Sequence, residues 1–373
     1  MNEPVNAVIF EGGSPGSLVE RELAAVRAAA LLDNLDKLNR VKEIGQVYLA
    51  TNNRRLAELA RAKGATVAVN RLLPRSFHFG EELKRLVLKH RLSKVFYFSG
   101  AGCPLIKEEE ISAICRRLSG GTGRLITNNI QSADLVAFNI SGAFNRIELP
   151  AMDNVLATAL RDRLGLKLEL TPLSPGLLFD LDTPIDALVL GDSPFAGART
   201  RACLAELDWD YSRLRRAKQV LNGNYREIVL IGRVGAPVME RLNSRLRIRL
   251  RVFSEERGMK ALGRLERKEV ASLMGYLLER AGLPDFFHYL SRVADAAFID
   301  SRLFMAHNRY SFSDRERFLS DLGRFEEIEH PWLKNFTREA FFCPIPVLLG
   351  GHSLVSGSLW AIAEELNPGN NCL

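Results

Sequence analysis

The sequence has little cysteine. Its 373 residues hold five (Cys103, Cys115, Cys203, Cys343 and Cys372), an odd number with no CxxC spacing. This excludes a disulfide framework or a zinc ribbon as the organising device, and it suits a reducing cytoplasm in which free cysteines pack as small apolar residues. No apolar run reaches the ~18 residues of a membrane span. The opening MNEPVNAVIF has neither a basic n-region nor a long apolar h-region, so no secretory signal is expected and the expected location is cytoplasmic. Walker A and GxGxxG signatures are missing, as are internal repeats and low-complexity tracts, and Gly350-Gly351-His352-Ser353 lacks the GxSxG of a hydrolase elbow.

What is present is the composition of a folded chain: 47% hydrophobic and 25% charged residues. The length exceeds one ordinary core, which implies two domains. The net charge of +7 is concentrated. Between Arg199 and Arg251 stand thirteen basic residues against five acids, so the remainder is close to neutral. A concentrated excess implies an anionic partner or a surface paired elsewhere.

The first part alternates strands and helices. Val5–Phe10, Gln46–Thr51, Thr66–Val69, Lys94–Ser99, Ala133–Asn139 and Leu177–Leu181 read as strands. Leu18–Leu38, Asn53–Lys63, Glu81–His90, Lys107–Leu118 and Pro184–Leu190 read as helices, with Gly64 as a C′ residue and Pro184 near a first position. This spacing predicts a Rossmann-like, mostly parallel α/β sheet sandwiched by helices over residues 1–195. A linker composition at Gly191–Gly197 marks the boundary, 196–224 reads as a basic linker or helix, and 225–373 as a mixed, mainly helical domain. There Ile228–Val234 and Arg245–Phe253 read as strands. Pro237–Asn243, Lys260–Arg280, Pro284–His307, Ser313–Leu322 and Glu326–Ala340 read as helices.

In such sheets ligands bind at the carboxyl ends of strands. Three loops there carry candidate chemistry. Glu11-Gly12-Gly13-Ser14-Pro15-Gly16 lets backbone approach a phosphate, with a helix N-terminus behind it, although a plain tight turn fits equally. Ser99-Gly100-Ala101-Gly102-Cys103-Pro104-Leu105 follows the fourth strand. In Asp180-Leu181-Asp182-Thr183-Pro184-Ile185-Asp186, two carboxylates at i and i+2 on a strand end would suit a divalent cation, while Asp182-Thr183-Pro184 is also a good helix N-cap.

In this order the three loops resemble those of the GT-A-type nucleotidyltransferases: molybdenum-cofactor guanylyltransferase, phospholactate guanylyltransferase and the CMP-sugar synthetases. The likeness spans about residues 5–192 and is close only at Asp180–Asp186. The resemblance implies that Glu11, Gly12, Gly13, Ser14, Gly16 and Gly102 meet a nucleoside triphosphate. It further implies that Asp180 and Asp182 hold Mg²⁺ as catalytic residues, and that the nucleotidyl group passes to a small phosphorylated or acidic acceptor. Two positions depart from the pattern. Ser17-Leu18-Val19 stands where an Arg-Met would, and Gly102 replaces the metal-binding Asp. A non-catalytic nucleotide-binding, sensing or scaffolding protein on a degenerate transferase domain, and a GT-A glycosyltransferase, remain alternatives.

Arg245–Arg251 places four guanidiniums on one strand face; it reads as a solvated edge strand or as an anion site at Arg247 and Arg249. No aromatic residues interleave, which favours a small anion over nucleic acid. Ile231-Gly232-Arg233-Val234-Gly235-Ala236-Pro237 reads as a βα connection or a phosphate loop. Near the C-terminus Asp295, Asp300, His307, His352 and Ser353 sit among apolar residues, as caps and buried hydrogen bonds or as a second ligand site. The second domain is expected to recognise the acceptor, form a homo-oligomer or hold that second site.

Overall fold

The computed structural model describes residues 3–69, 77–130, 133–140 and 142–367; Cys372 lies outside them. The chain divides into two compact units, and not at a single cut. One comprises Met1–Ser14, Arg27–Leu178 and Gly197–Arg199; the other comprises Pro15–Val26, Phe179–Ala196 and Thr200–Leu373. Residues 179–196, expected to close the first domain, therefore group with the second.

The first unit holds seven strands: β1 (Val5–Phe10), β2 (Ile44–Thr51), β3 (Thr66–Val69), β4 (Lys94–Ser99), β5 (Arg124–Thr127), β6 (Leu135–Asn139) and β7 (Lys167–Leu170), in the order β3-β2-β1-β4-β6-β5-β7. All pairs are parallel except those of β6, which runs antiparallel to β4 and β5. This is a mostly parallel α/β sheet with apolar cores on both faces. In β4, Phe96 and Phe98 join one core while Val95 and Tyr97 join the other. Burial on both sides is why KVFYFS reads as an unbroken apolar run instead of alternating.

The second unit is also α/β. Strands β8 (Arg226–Gly232), β9 (Ile248–Ser254), β10 (Ala296–Asp300) and β11 (Val347–Gly350) form an all-parallel sheet in the order β11-β10-β8-β9. Two helix expectations are corrected here. Pro284–His307 is interrupted, because Leu283–Val293 and Ser301–His307 flank the fully buried β10. Of Lys260–Arg280, only Leu273–Ala281 is helical. Leu177–Leu181 is not a strand either: Pro175–Leu178 forms one helical turn, and the next helix is Pro184–Gly191. Residues 15–26 belong to this unit, where the Trp209 indole Nε1 donates to Glu22 at 3.0 Å. Among the described residues no helix is long and apolar enough to cross a membrane.

Arg302 and Asp321 tie the helix after β10 to the helix Asp314–Leu322. Both nitrogens of the Arg302 fork reach the carboxylate, at 2.5 and 2.7 Å, and the Asp321 side chain is 0% exposed. Asp321→Ala leaves a buried guanidinium uncompensated and is expected to cost about 3–5 kcal/mol in denaturant unfolding. The double variant Arg302→Met with Asp321→Leu should regain most of that loss, because apolar side chains need no partner.

Candidate functional site

In the first unit the strand order reverses between β1 and β4, and the loops that follow these two strands are Glu11–Ser14 and Gly100–Leu105. A crevice at such a reversal is where open α/β sheets place ligands. Asn52 pins the first loop: its Oδ1 accepts from Gly13 N at 3.1 Å, and its Nδ2 donates to Gly13 O at 2.9 Å. A Cβ at Gly13 would meet nothing within 4 Å. Glu11 is held by Arg27, at 3.1 and 2.9 Å, and packs so closely on Gly100 that a Cβ there would strike it. At Gly102 a Cβ would collide with Ser99 Oγ and stand 3.5 Å from the Cβ of Asp134.

Two donors just before the next helix, whose N-terminus was expected to present free N–H groups to a phosphate, are taken up by its own Glu20. Glu20 Oε2 accepts from Gly16 N (3.2 Å) and Ser17 N (2.7 Å), while Ser17 Oγ faces Glu20 N in the reciprocal arrangement of a capping box. Burial works against the Glu20 charge, yet its bonds to Ser17 and Gly16 hold its carboxyl below the usual range. A carboxylate therefore already stands at the helix start, where the dipole favours negative charge.

Asp180 and Asp182 belong to the second unit, in the segment that leads into the helix Pro184–Gly191. Thr183 caps that helix in a capping box with Asp186. The Asp186 carboxylate is 0% exposed and accepts from Thr183 N (3.0 Å), Thr183 Oγ1 (2.7 Å) and Ser358 Oγ (2.8 Å). Ser358 ends the π-helical turn Leu354–Ser358, directly after Gly350-Gly351-His352-Ser353 at the carboxyl end of β11. Ser353 Oγ accepts from Asp180 N at 3.3 Å. The Asp180–Asp186 segment and the Gly350–Ser353 loop, which the sequence suggested separately, thus form one site. Turns of the π type are rare and recur at functional positions.

Two further strand ends complete this edge. Gly232 closes β8 at φ +123°, where a Cβ would overlap the Asp300 Cβ, so only glycine lets the two strand ends pass. Asp300, fully buried, receives Arg233 at 2.6 and 3.1 Å. Burial opposes its charge, but Arg233 holds the carboxyl below the usual range. Protein crowded around the His352 ring, and then Arg233, push that imidazole down to about 4, leaving it neutral at pH 7. Asp300 and Asp182 act on it in the opposite direction, Arg257 in the same one. His352 and Asp182 both keep exposed surface.

The remaining candidates lie elsewhere. Asp295 stands at the opposite end of β10, accepting from Glu227 N at 2.8 Å. His307 is buried, its Nδ1 accepting from Ser272 N at 3.2 Å; its Nε2 faces Glu279 at 3.2 Å without hydrogen-bond geometry. Arg247 and Arg249 are exposed at the edge strand β9, where Arg249 and Arg251 both reach Glu227 at 3.3 Å. Sequence reasoning missed Arg257 and the hub role of Asp186. Attention to the turn after β9 would have found the first.

The magnesium site that the resemblance implies would rest on Asp180 and Asp182 alone. Gly102 brings no ligand and Glu11 is committed to Arg27. Among the described residues no group of three or more His, Cys, Asp or Glu side chains is placed to hold a metal ion.

No family model and no curated protein matches the sequence. Solved structures do. A cytidylyltransferase from Leptospira borgpetersenii is 13% identical, covering 54% of this chain and 93% of its own, with a TM-score of 0.41. A 4-diphosphocytidyl-2C-methyl-D-erythritol synthase from Anaerococcus prevotii is 15% identical over 50% and 93% (TM-score 0.36). A CMP:2-keto-3-deoxy-manno-octonic acid synthetase complexed with CTP is 11% identical over 46% and 90% (TM-score 0.34).

Burial, opposed by Thr183 and Ser358 and reinforced by Asp182 and Asp321, pushes the Asp186 carboxyl up to about 7. A raised carboxyl binds its proton more tightly folded than unfolded, so its contribution to stability is full below pH ~4 and is lost as pH rises through about 7. Chemical denaturation of wild type and Asp186→Asn at pH 4 to 8 should show the variant gaining on wild type as pH rises, by at most ~1.4 kcal/mol per unit. A difference independent of pH would contradict this.

Proposed function

We propose that the first unit binds a nucleotide over Gly12, Gly13 and Ser14, as a nucleotide-binding protein on a transferase-like scaffold whose carboxylates hold no catalytic metal. The observation that carries this reading is the pair of glycine-bearing loops leaving β1 and β4 where the strand order reverses. The order of those loops in the sequence, with its resemblance to nucleotidyltransferases, adds support. The unfilled position at Gly102 and the Glu11–Arg27 pair weigh against transfer.

A second reading is transfer of a nucleotidyl group from a nucleoside triphosphate to a small phosphorylated or acidic acceptor. One observation favours it: Asp134 stands beside Gly102 and would bring a carboxylate near the position where the resemblance expects one.

Thermal melts of the full chain with CTP and with GTP, in Mg²⁺ and in EDTA, separate the two. On the binding reading one nucleotide at ~100 times its Kd raises the melting temperature by about 2 °C or more, equally with and without the metal. Gly13→Asp, whose side chain enters open space, should abolish the rise without lowering the melting temperature of the free chain. A rise that survives Gly13→Asp refutes the placement. Pyrophosphate release with an acidic acceptor, lost on Asp134→Asn, establishes transfer.

A further inference from the structure

The carboxyl edge of the second sheet carries more polar chemistry than packing requires. The sheet is wholly parallel and its strand order reverses between β8 and β10, so it has its own topological switch point, the kind of place where open α/β sheets bind ligands. Around that point the loops after β8, β9 and β11 contribute Arg233, Arg257 and His352, the last residue of β10 is Asp300, and the segment before the helix Pro184–Gly191 adds Asp182.

The charges there are unequally satisfied. Asp300 is bound by Arg233. Glu255 accepts from Ser272 Oγ (2.6 Å) and Leu273 N (2.6 Å), and Glu256 from Arg264 (2.8 and 2.7 Å) and Ala271 N (3.3 Å). Arg257 is exposed, and among the described residues no carboxylate pairs with it. Its NH2 lies 3.8 Å from where a Gly235 Cβ would be, over the cap of the helix Ala236–Arg245. A guanidinium at the positive end of a helix is repelled unless an anion lies between them. The charges of Arg233 and Arg257 both act on the His352 ring, which is neutral and can donate one N–H. Asp182 already interacts with other groups of the protein, yet it keeps exposed surface from which its carboxylate can accept from hydroxyl groups.

We propose that this edge binds a phosphate ester of a small hydroxyl-bearing molecule, with Arg257 and His352 on the phosphate and Asp182 on the hydroxyls. Nucleotides and sugar phosphates share that chemistry.

The test is calorimetric titration of the full chain carrying Gly13→Asp, which blocks the first unit's loop, with inorganic pyrophosphate, uridine monophosphate and glucose 1-phosphate at ~0.15 M salt. All three should bind saturably. Arg257→Ala and His352→Ala should each weaken every probe tenfold or more, while Arg280→Ala, an exposed arginine on another helix, changes nothing. Asp182→Asn should weaken the two esters about fivefold and leave pyrophosphate unaffected, since it has no hydroxyl group. The tighter ester identifies the source. Circular dichroism checks that each variant is folded. Absence of saturable binding by all three probes, unchanged binding in Arg257→Ala, or equal loss of pyrophosphate and esters in Asp182→Asn would each overturn the proposal.

Discussion

A buried carboxylate that takes three hydrogen bonds, Asp186, is the constraint on which the second unit's site depends. Two of its bonds come from Thr183, at the start of its own helix, and the third from Ser358, 172 residues away in sequence. Through Ser358 it fixes the π-turn, and the π-turn fixes Gly350–Ser353. Ser353 in turn receives Asp180 N. Burial without these donors would be costly, so the acid, the cap and the turn stand or fall together.

The same economy shows in the first unit, with the opposite outcome. There the polar groups nearest the expected ligand are bound to the protein itself: Glu11 to Arg27 and Gly13 to Asn52. Such pairing stabilises the free protein and lowers the affinity for any phosphate that must displace it. At the second sheet's edge Arg257 has no such internal partner among the described residues.

Much of the first sheet was legible because β1 and β4 are buried on both faces and declare themselves as apolar runs ended by glycine loops. The antiparallel course of β6 was not, since strand direction leaves no mark on composition. Ala296–Asp300 was hidden for another reason: its alanines continue the helical period of Leu283–Val293, and only tertiary burial decides for a strand. The Asp180–Asp186 motif was visible, and so was Gly350–Ser353. Their meeting was not, because it joins residues some 170 positions apart through hydrogen bonds that no periodicity encodes. A strand expected at Leu177–Leu181 failed because Pro175 starts a helical turn just before it.

The helix Leu18–Arg40 bears on how such a chain can evolve. Its first turns count with one unit and the remainder with the other, and residues 179–196 cross the same division. Neither unit is therefore a contiguous cassette. A segment beginning near residue 200 would leave behind Glu22, the partner of Trp209, and Asp186, the partner of Ser358. Recombination that exchanges whole domains end to end has no seam to use here. A single cut anywhere between them would leave each half without part of itself.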